Sequence, residues 1–205
     1  MARAKPGPRG DPPAPPPWLA TASLPIHIFP TGAAWFRCHR TLLAPVFFGP
    51  GPGAAPKHRF DAPAGEFQVL YLALGYDAAI VETLFRNPRR RIVDLSDIEA
   101  RSMATLTNAA PLRLVQAHGS GLARLGTTAS LSTGGYRASR RWAMELWRHK
   151  DQPDGLVYVS RHNPGLLCAA VFDRYDAGFA ELSAPLLDDA AALAKVFLAH
   201  GKSIA

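Results

Sequence analysis

The sequence contains little cysteine and no long apolar run. Its two cysteines, Cys38 and Cys168, are too few for the disulfide framework of a small secreted protein, and by themselves they cannot complete a zinc site. No uninterrupted stretch of about 18 apolar residues is present, which argues against a membrane-spanning helix. The first residues also lack the apolar core of a signal peptide. We therefore expect a soluble, cytoplasmic protein that makes no contact with a membrane.

Motifs of several common enzyme classes are missing as well. The glycine cluster at residues 49–56 (GPGPGAAP) is no phosphate loop, because its prolines lack the amide protons that would bind phosphate. The seven histidines show no metal-ligand spacing, and no serine lies in a Gly-x-Ser-x-Gly elbow. These absences argue against doubly wound nucleotide-binding folds, P-loop enzymes, zinc hydrolases and serine hydrolases. We expect no metal cofactor.

Acidic residues are few relative to basic ones. The chain has 16 Asp and Glu against 23 Lys and Arg, which gives a net charge of +7 and a pI near 9.8. Such a charge favours an anionic partner. The basic residues are scattered, with short runs at residues 89–91 and 140–141 and no lysine stripe between aromatics. A solvated surface explains such short runs, so a nucleic-acid-binding module is a distant alternative and direct nucleic-acid binding is not expected.

Proline is concentrated at the N-terminus, where residues 1–17 include seven prolines and almost no apolar side chain. We expect a disordered tail that is dispensable for catalysis, followed by a single catalytic domain over residues 18–205. Within that domain, apolar patterns predict interspersed strands and helices and therefore an α+β fold. Strands are predicted over residues 67–74, 92–95, 112–116, 156–160 and 166–172, helices over residues 78–85, 136–147 and 188–199, and mostly loop over residues 119–135.

Four segments, in this order along the chain, carry a resemblance to a known family. They are residues 35–40 (WFRCHR), residues 57–61 (KHRFD), a block from VLYLA at 69–73 to AIVE at 79–82, and residues 154–160 (DGLVYVS). Together they resemble the RES domain, which is named for its arginine, glutamate and serine. The resemblance extends over roughly residues 30–175. The family commonly has glycine where this chain has His58, and the Pro-rich tail has no counterpart.

The resemblance implies a fold, an activity and a partner. RES proteins are bacterial toxins, usually paired with an Xre-like antitoxin. Their fold is like that of the ADP-ribosyltransferase toxins, with a split β-sheet core and flanking helices that hold NAD+. The implied reaction is cleavage of NAD+ at the nicotinamide–ribose bond. By position, Arg37, Glu82 and Ser160 would be catalytic, and Arg37, Arg59, Tyr71 and Ser160 would bind NAD+.

The chemistry of Arg37 and Glu82 agrees with that assignment. A guanidinium presents two fixed donors to a diphosphate, and a carboxylate stabilises the positive charge that develops on ribose when an N-glycosidic bond breaks. Ordinary structural explanations also exist. Without the resemblance, Arg37 and Arg59 fit solvated positions, and Glu82 fits an exposed helix residue.

Tyr71 and Ser160 have the same two interpretations. Tyr71 lies in an apolar strand as a core aromatic does, but its ring suits stacking on nicotinamide and its hydroxyl suits a ribose or phosphate oxygen. Ser160 ends a strand, where a hydroxyl often satisfies the backbone. The resemblance implies instead that it hydrogen-bonds the substrate.

The sequence leaves the acceptor of ADP-ribose open. Hydrolysis by water, phosphorolysis by inorganic phosphate and ADP-ribosyl transfer to a protein all need the same NAD+ pocket. They differ in what enters afterwards. A toxin that degrades NAD+, with phosphate as a candidate co-substrate, is the leading hypothesis, and a protein-modifying ADP-ribosyltransferase is the alternative.

Overall fold

The computed structural model describes residues 10–205 as ten strands, six helices and two 3-10 turns, Pro17–Ala20 and Leu186–Asp189. The strands are β1 (Ile26–Phe29), β2 (Ala34–Arg40), β3 (Val69–Ala73), β4 (Ile92–Val93), β5 (Arg101–Asn108), β6 (Leu112–Ala117), β7 (Gly155–Val159), β8 (Leu167–Phe172), β9 (Phe179–Pro185) and β10 (Ser203–Ile204). The helices are α1 (Tyr76–Leu84), α2 (Leu95–Glu99), α3 (Ser120–Leu125), α4 (Ser130–Thr133), α5 (Tyr136–Arg148) and α6 (Ala190–Ala199). Within residues 10–205, no helix combines the length and the apolar character needed to cross a membrane.

Eight strands form one mixed sheet in the order β1-β6-β7-β8-β3-β2-β5-β9, and β4 pairs with β10 in a second sheet. Neighbouring strands of the large sheet are antiparallel except for β6 and β7. β2 pairs along its whole length with β5, but along the described chain it meets β3 only at Phe36 and Ala73. The sheet therefore divides at this junction, as expected for an α+β fold with a split sheet.

Both faces of the large sheet are covered. Successive side chains of each strand point to opposite sides of the sheet, so neighbouring residues of one strand belong to different cores. On one face, Val69 of β3 belongs to a core that includes residues of α1, α5 and α6. On the other face, Leu70 and Leu72 pack in a second core with Trp35 of β2. Tyr71 shares the helix-covered face, as its odd position in the strand predicts.

Most predicted elements are present, with shifted ends. The strand predicted over residues 67–74 is β3, the helix predicted over 78–85 is α1, and the helix predicted over 136–147 is α5. The prediction of mostly loop over residues 119–135 is wrong, since α3 and α4 lie there. Leu125 and Leu131 of these helices are completely buried, so tertiary packing stabilises helices that their glycine-rich local sequence does not favour.

Residues 10–17 pack against the domain. The Asp11 carboxylate accepts a 2.6 Å hydrogen bond from the Gly135 N–H at the start of α5, and the indole N–H of Trp142 donates to the Pro13 carbonyl at 2.7 Å. Pro12 is buried. The expectation of a disordered tail is therefore wrong for residues 10–17. Hydrogen bonds to α5 hold this segment in place, although its proline-rich composition offers little apolar area to bury. Residues 1–9, the rest of that expected tail, lie outside the described residues.

Candidate active site

A cavity of about 480 Å³ lies where the sheet divides, and Phe36 and Ala73 form part of its wall. This volume is within the range of small-molecule sites. Four of the five predicted site residues line the cavity, namely Arg37, Arg59, Tyr71 and Glu82. The fifth, Ser160, contacts the carboxylate of Glu82. The structure therefore brings all five residues together from four separate segments of the chain.

The carboxylate of Glu82 is oriented by Ser160. Glu82 lies half-buried on α1, and its Oε1 accepts a 2.6 Å hydrogen bond from the Ser160 hydroxyl. Ser160 is completely buried just after β7, and its Oγ accepts hydrogen bonds from the backbone N–H groups of His162 at 3.1 Å and Asn163 at 3.2 Å. A serine hydroxyl offers one donor and two acceptor sites, so its capacity is used within the protein. In the described structure Ser160 therefore contacts Glu82, and its expected hydrogen bond to the substrate stays a prediction.

Arg59 is held in the cavity wall by hydrogen bonds to Gly134 and Ser139. The residue is 7% exposed, and its Nη1 donates to the Gly134 carbonyl at 2.6 Å and to the Ser139 hydroxyl at 3.2 Å. Burial lowers the pKa of the guanidinium from its ordinary value, although arginine stays cationic at neutral pH. Its Nη2 is buried and has no hydrogen-bond partner among the described residues. A buried donor without a partner is costly, so Nη2 is a candidate contact for a ligand oxygen.

Arg37 links the cavity to the loop that follows β2. Its Nη1 donates to the Pro45 carbonyl at 2.7 Å and to the Phe47 carbonyl at 3.3 Å. Burial lowers the pKa of this guanidinium as well. A guanidinium carries five N–H donors, so the same side chain can hold the loop through one nitrogen and bind an anion through the others.

Tyr71 contributes its ring to the cavity wall, but its hydroxyl is bonded within the protein. The hydroxyl donates to Asp61 Oδ1 at 2.9 Å and accepts a 2.9 Å hydrogen bond from the Phe60 N–H. Asp61 is completely buried, and its Oδ2 accepts from the N–H groups of Lys57 at 2.7 Å and His58 at 2.6 Å. Burial, followed by the charge of Asp61, raises the pKa of Tyr71 well above its ordinary value. In the described structure this hydroxyl bonds to the neighbouring loop, and its expected bond to a ribose or phosphate oxygen stays a prediction.

The cavity is strongly cationic. Among the described residues that line it, Glu82 is the one acidic side chain, whereas the arginines are Arg37, Arg40, Arg59, Arg86, Arg101 and Arg161. A cleft lined by one sign of charge raises the local concentration of ligands of the opposite charge. The arrangement favours a ligand that is anionic overall and presents a positive portion to Glu82.

Sequence reasoning missed several residues that shape the site. Asp61 lies within one of the family segments, but its role depends on a contact with Tyr71 that the sequence does not show. Tyr136 begins α5 and lies over the guanidinium of Arg59, with 4.7 Å between Cζ and the ring centre. His162 also lines the cavity, and burial is the main cause that lowers its pKa. No local pattern distinguishes Tyr136 or His162 from ordinary surface residues.

Both cysteines line the cavity but are unsuited to act as nucleophiles. Burial raises the pKa of Cys38 to about 11 and also raises that of Cys168, and the thiolate is the reactive form of cysteine.

At about pH 7.5 we expect iodoacetamide to modify the folded protein at least about tenfold more slowly than the unfolded protein, and to leave its activity intact. Mass spectrometry of native and guanidinium-unfolded samples measures this. Loss of activity in step with modification of either thiol would contradict the expectation.

Comparisons with known proteins agree with this fold. A family model described as the RES domain matches residues 34–193. A probable toxin of Sinorhizobium fredii, y4kH, is 29% identical over 83 residues, a match that covers 40% of this chain and 65% of the relative. A chain of the M. tuberculosis MbcT–MbcA toxin–antitoxin complex aligns with a TM-score of 0.60 and 12% identity, over 83% of this chain and 92% of that chain. The expected ADP-ribosyltransferase-like α+β fold is confirmed by this likeness. The family model matches well over half of the residues of this chain, and so the chain belongs to the RES domain family.

Proposed function

We propose that this protein is the toxin of a toxin–antitoxin pair and that it breaks NAD+ at the nicotinamide–ribose bond. The observation that carries the proposal is the Glu82 carboxylate, held at 2.6 Å by the Ser160 hydroxyl in a cavity rich in arginine. NAD+ matches this distribution of charge, since its nicotinamide ring is cationic and its diphosphate is anionic. The similarity to a probable toxin and to a chain of a toxin–antitoxin complex supports the biological role.

The proposed reaction begins with cleavage of the glycosidic bond. The bond between ribose C1′ and the nicotinamide nitrogen breaks, and its electron pair stays with the nitrogen, so nicotinamide leaves as a neutral molecule. The ribose becomes oxocarbenium-like, and the Glu82 carboxylate stabilises its positive charge. An oxygen of water then bonds to C1′ and releases a proton to solvent, which yields ADP-ribose, or an anionic oxygen of inorganic phosphate bonds to C1′ without loss of a proton, which yields ADP-ribose 1-phosphate. Because the leaving group is already cationic, the step needs no strong acid.

Arg37 and Arg59 are the proposed binding residues for the diphosphate. Guanidinium groups bind phosphate oxygens with paired donors, and both side chains line the cavity that contains Glu82. The ring of Tyr71 offers an aromatic surface in the same cavity for the nicotinamide ring. These contacts would fix the glycosidic bond relative to the carboxylate, which is the main contribution of binding to such a reaction.

An Xre-like antitoxin is the proposed partner, and the cytoplasm is the proposed place of action. Family membership supports the antitoxin, as does the solved complex in which the similar chain occurs. The antitoxin would cover the cavity mouth or hold the enzyme in an inactive assembly. Co-expression with an Xre-like protein encoded beside the toxin should then prevent the fall in cellular NAD+ that the toxin alone causes.

Analysis of the products of NAD+ turnover tests the proposed reaction. Purified protein is incubated with NAD+ in buffers with and without phosphate, and the products are identified by mass spectrometry. Nicotinamide with free ADP-ribose indicates hydrolysis, ADP-ribose 1-phosphate formed only with phosphate indicates phosphorolysis, and a mass increase of an added protein indicates ADP-ribosyl transfer. Unchanged NAD+ in every buffer would overturn the proposal. Strong, salt-sensitive DNA binding by the same inactive protein would favour the nucleic-acid alternative.

Replacement of Ser160 by alanine tests the orientation of Glu82. We expect Ser160→Ala to lower kcat by about tenfold or more with a smaller change in KM, because a misplaced catalytic group slows the chemical step. Ser102→Ala is a matched control, since Ser102 is also buried and its hydroxyl bonds to Thr41 at 3.0 Å, outside the Glu82 pair. Steady-state kinetics and melting temperatures of both variants make the comparison. Equal kcat values for the two folded variants would show that Ser160 has only a structural role.

A further inference from the structure

We propose that Tyr71 and Asp61 form a clamp that holds Arg59 in position, so that the unpaired Nη2 of Arg59 binds a phosphoryl oxygen of the ligand. Tyr71 and Asp61 are positioning residues in this arrangement, and Arg59 is the binding residue. The inference deepens the proposed function. Its NAD+ measurements rest on that function, whereas its pyrophosphate measurements do not.

The clamp holds the backbone on both sides of Arg59. Before it, the N–H of His58 donates to Asp61 Oδ2 at 2.6 Å, and after it, the N–H of Phe60 donates to the Tyr71 hydroxyl at 2.9 Å. The two clamp residues are joined by the 2.9 Å bond from the Tyr71 hydroxyl to Asp61 Oδ1. Asp61 is 0% exposed, so loss of one of its partners leaves a buried carboxylate oxygen unpaired.

The guanidinium of Arg59 is fixed at one nitrogen and lacks a partner at the other. Nη1 donates to the Gly134 carbonyl, in the turn between α4 and α5, and to the hydroxyl of Ser139, in the first turn of α5. Nη2 is buried and unpaired among residues 10–205. The Tyr136 ring lies against the same guanidinium and is itself 40% exposed. The unpaired donor therefore belongs to a guanidinium that the protein already holds through Nη1.

A phosphoryl oxygen is the chemical class that fits this donor. Arginine N–H groups form short, charge-assisted bonds with phosphate oxygens, and a pre-positioned guanidinium loses little conformational freedom when it binds. The arginines that line the same cavity favour a ligand with more than one negative charge. Inorganic pyrophosphate carries these oxygens without nicotinamide or ribose, so it reports on the anion site alone.

The first test compares two tyrosines that each use the hydroxyl as donor and acceptor, the partly buried Tyr71 and the buried Tyr175. In Tyr71→Phe we expect the KM for NAD+ and the Kd for pyrophosphate to rise about tenfold, within the range of coupling seen for residues of one hydrogen-bond network. Tyr175→Phe is the control, because its hydroxyl donates to the Ala110 carbonyl at 2.8 Å, accepts from the Ala110 N–H at 3.0 Å and belongs to the core on the opposite face. We expect it to lower the melting temperature and leave KM and Kd unchanged. Unchanged KM and Kd in Tyr71→Phe would overturn the clamp.

A double-mutant cycle with Arg59→Ala separates positioning from general loosening of the site. If Tyr71 acts through Arg59, Tyr71→Phe should change the KM for NAD+ less than twofold in the Arg59→Ala background, against about tenfold in the wild type. An equal rise in both backgrounds would show that Tyr71 acts on the ligand independently of Arg59. Asp61→Asn, which keeps the shape of the side chain but places an amide against the Tyr71 hydroxyl, should behave as Tyr71→Phe does.

Thermal shifts with pyrophosphate keep the test independent of how well the clamp variants fold. Millimolar pyrophosphate should raise the melting temperature of the wild type and fail to raise that of Arg59→Ala, because a ligand stabilises the form that binds it. Absence of a shift in the wild type, or an equal shift in both proteins, would overturn the site. Pyrophosphate binding through Arg59 without NAD+ turnover would refute the proposed function and leave the clamp standing. NAD+ turnover with normal KM in Tyr71→Phe would refute the clamp and leave the proposed function standing.

Discussion

Glu82→Gln should lower the rate of NAD+ cleavage by about 10²–10³ while the protein stays folded, because removal of one well-placed electrostatic stabiliser has an effect of that size. The substitution keeps the shape of the side chain, and the amide oxygen can still accept the hydrogen bond from Ser160 that the carboxylate accepts at 2.6 Å. The negative charge facing the oxocarbenium-like ribose is lost. We therefore expect a fall in kcat with little change in KM, since the lost interaction strengthens only in the transition state.

Glu145→Gln provides the matched control for this prediction. Glu145 also lies on a helix, α5, but it is exposed and does not line the cavity. Both variants lose one negative charge, so a general effect of net charge on NAD+ binding would appear in both. Single-turnover measurement of nicotinamide release, with circular dichroism to check folding, compares them. Parental activity in folded Glu82→Gln would remove Glu82 from the chemistry.

The strands that the sequence predicts well are those buried on both faces. β3, β7 and β8 lie side by side in the middle of the large sheet, and so their sequences are continuous apolar runs. β9 is different: it lies at the sheet edge, most of its side chains are exposed, and its sequence FAELSAP shows no period that distinguishes it from a loop. Its strand conformation depends on pairing with β5 along its whole length, which is information that a local pattern does not contain.

The prediction of mostly loop over residues 119–135 is wrong because it interprets the glycines there as turn residues. Glycine is usually a sign of a turn, but Gly121 lies inside α3, where an added Cβ would be 1.9 Å from the Gln116 carbonyl oxygen. The residue is required by the close approach of the helix to the end of β6, and not by a turn. The same residue type thus serves two purposes that the sequence alone does not separate.

The residue types of the site could be predicted from the sequence, but their partners could not. The resemblance identifies Glu82 and Ser160, whereas the bond between them joins positions 78 residues apart. A hydroxyl at a cavity can serve the ligand or the protein, and only the contacts of the folded chain decide which. For Ser160 and Tyr71 those contacts, in the described structure, are a carboxylate and backbone N–H groups of the protein.

Removal of residues 1–17 should lower the melting temperature by roughly 5–15 °C. The deletion removes the Asp11 carboxylate from the start of α5 and the carbonyl partner of the completely buried Trp142. A carboxylate hydrogen bond near a helix N-terminus and a buried donor left unpaired are each worth about 1–2 kcal/mol, and about 1 kcal/mol shifts the melting temperature of a chain of this size by about 2–4 °C. The turn at Gly134, whose carbonyl holds Arg59, also loses its neighbour, so we expect a higher KM for NAD+.

Two single substitutions in the full-length chain separate the contribution of Asp11 from that of net charge. Asp11→Ala should lower the melting temperature by about 2–6 °C, since it removes only the bond to Gly135. Asp176→Ala removes the same charge at an exposed position, and we expect its melting temperature to be unchanged. Differential scanning calorimetry at low and high salt compares the melting temperatures of the deletion variant, Asp11→Ala and Asp176→Ala with that of the full-length protein. A deletion variant with the melting temperature and KM of the full-length protein would show that the contacts of residues 10–17 contribute nothing to the stability of α5 or to the position of Arg59.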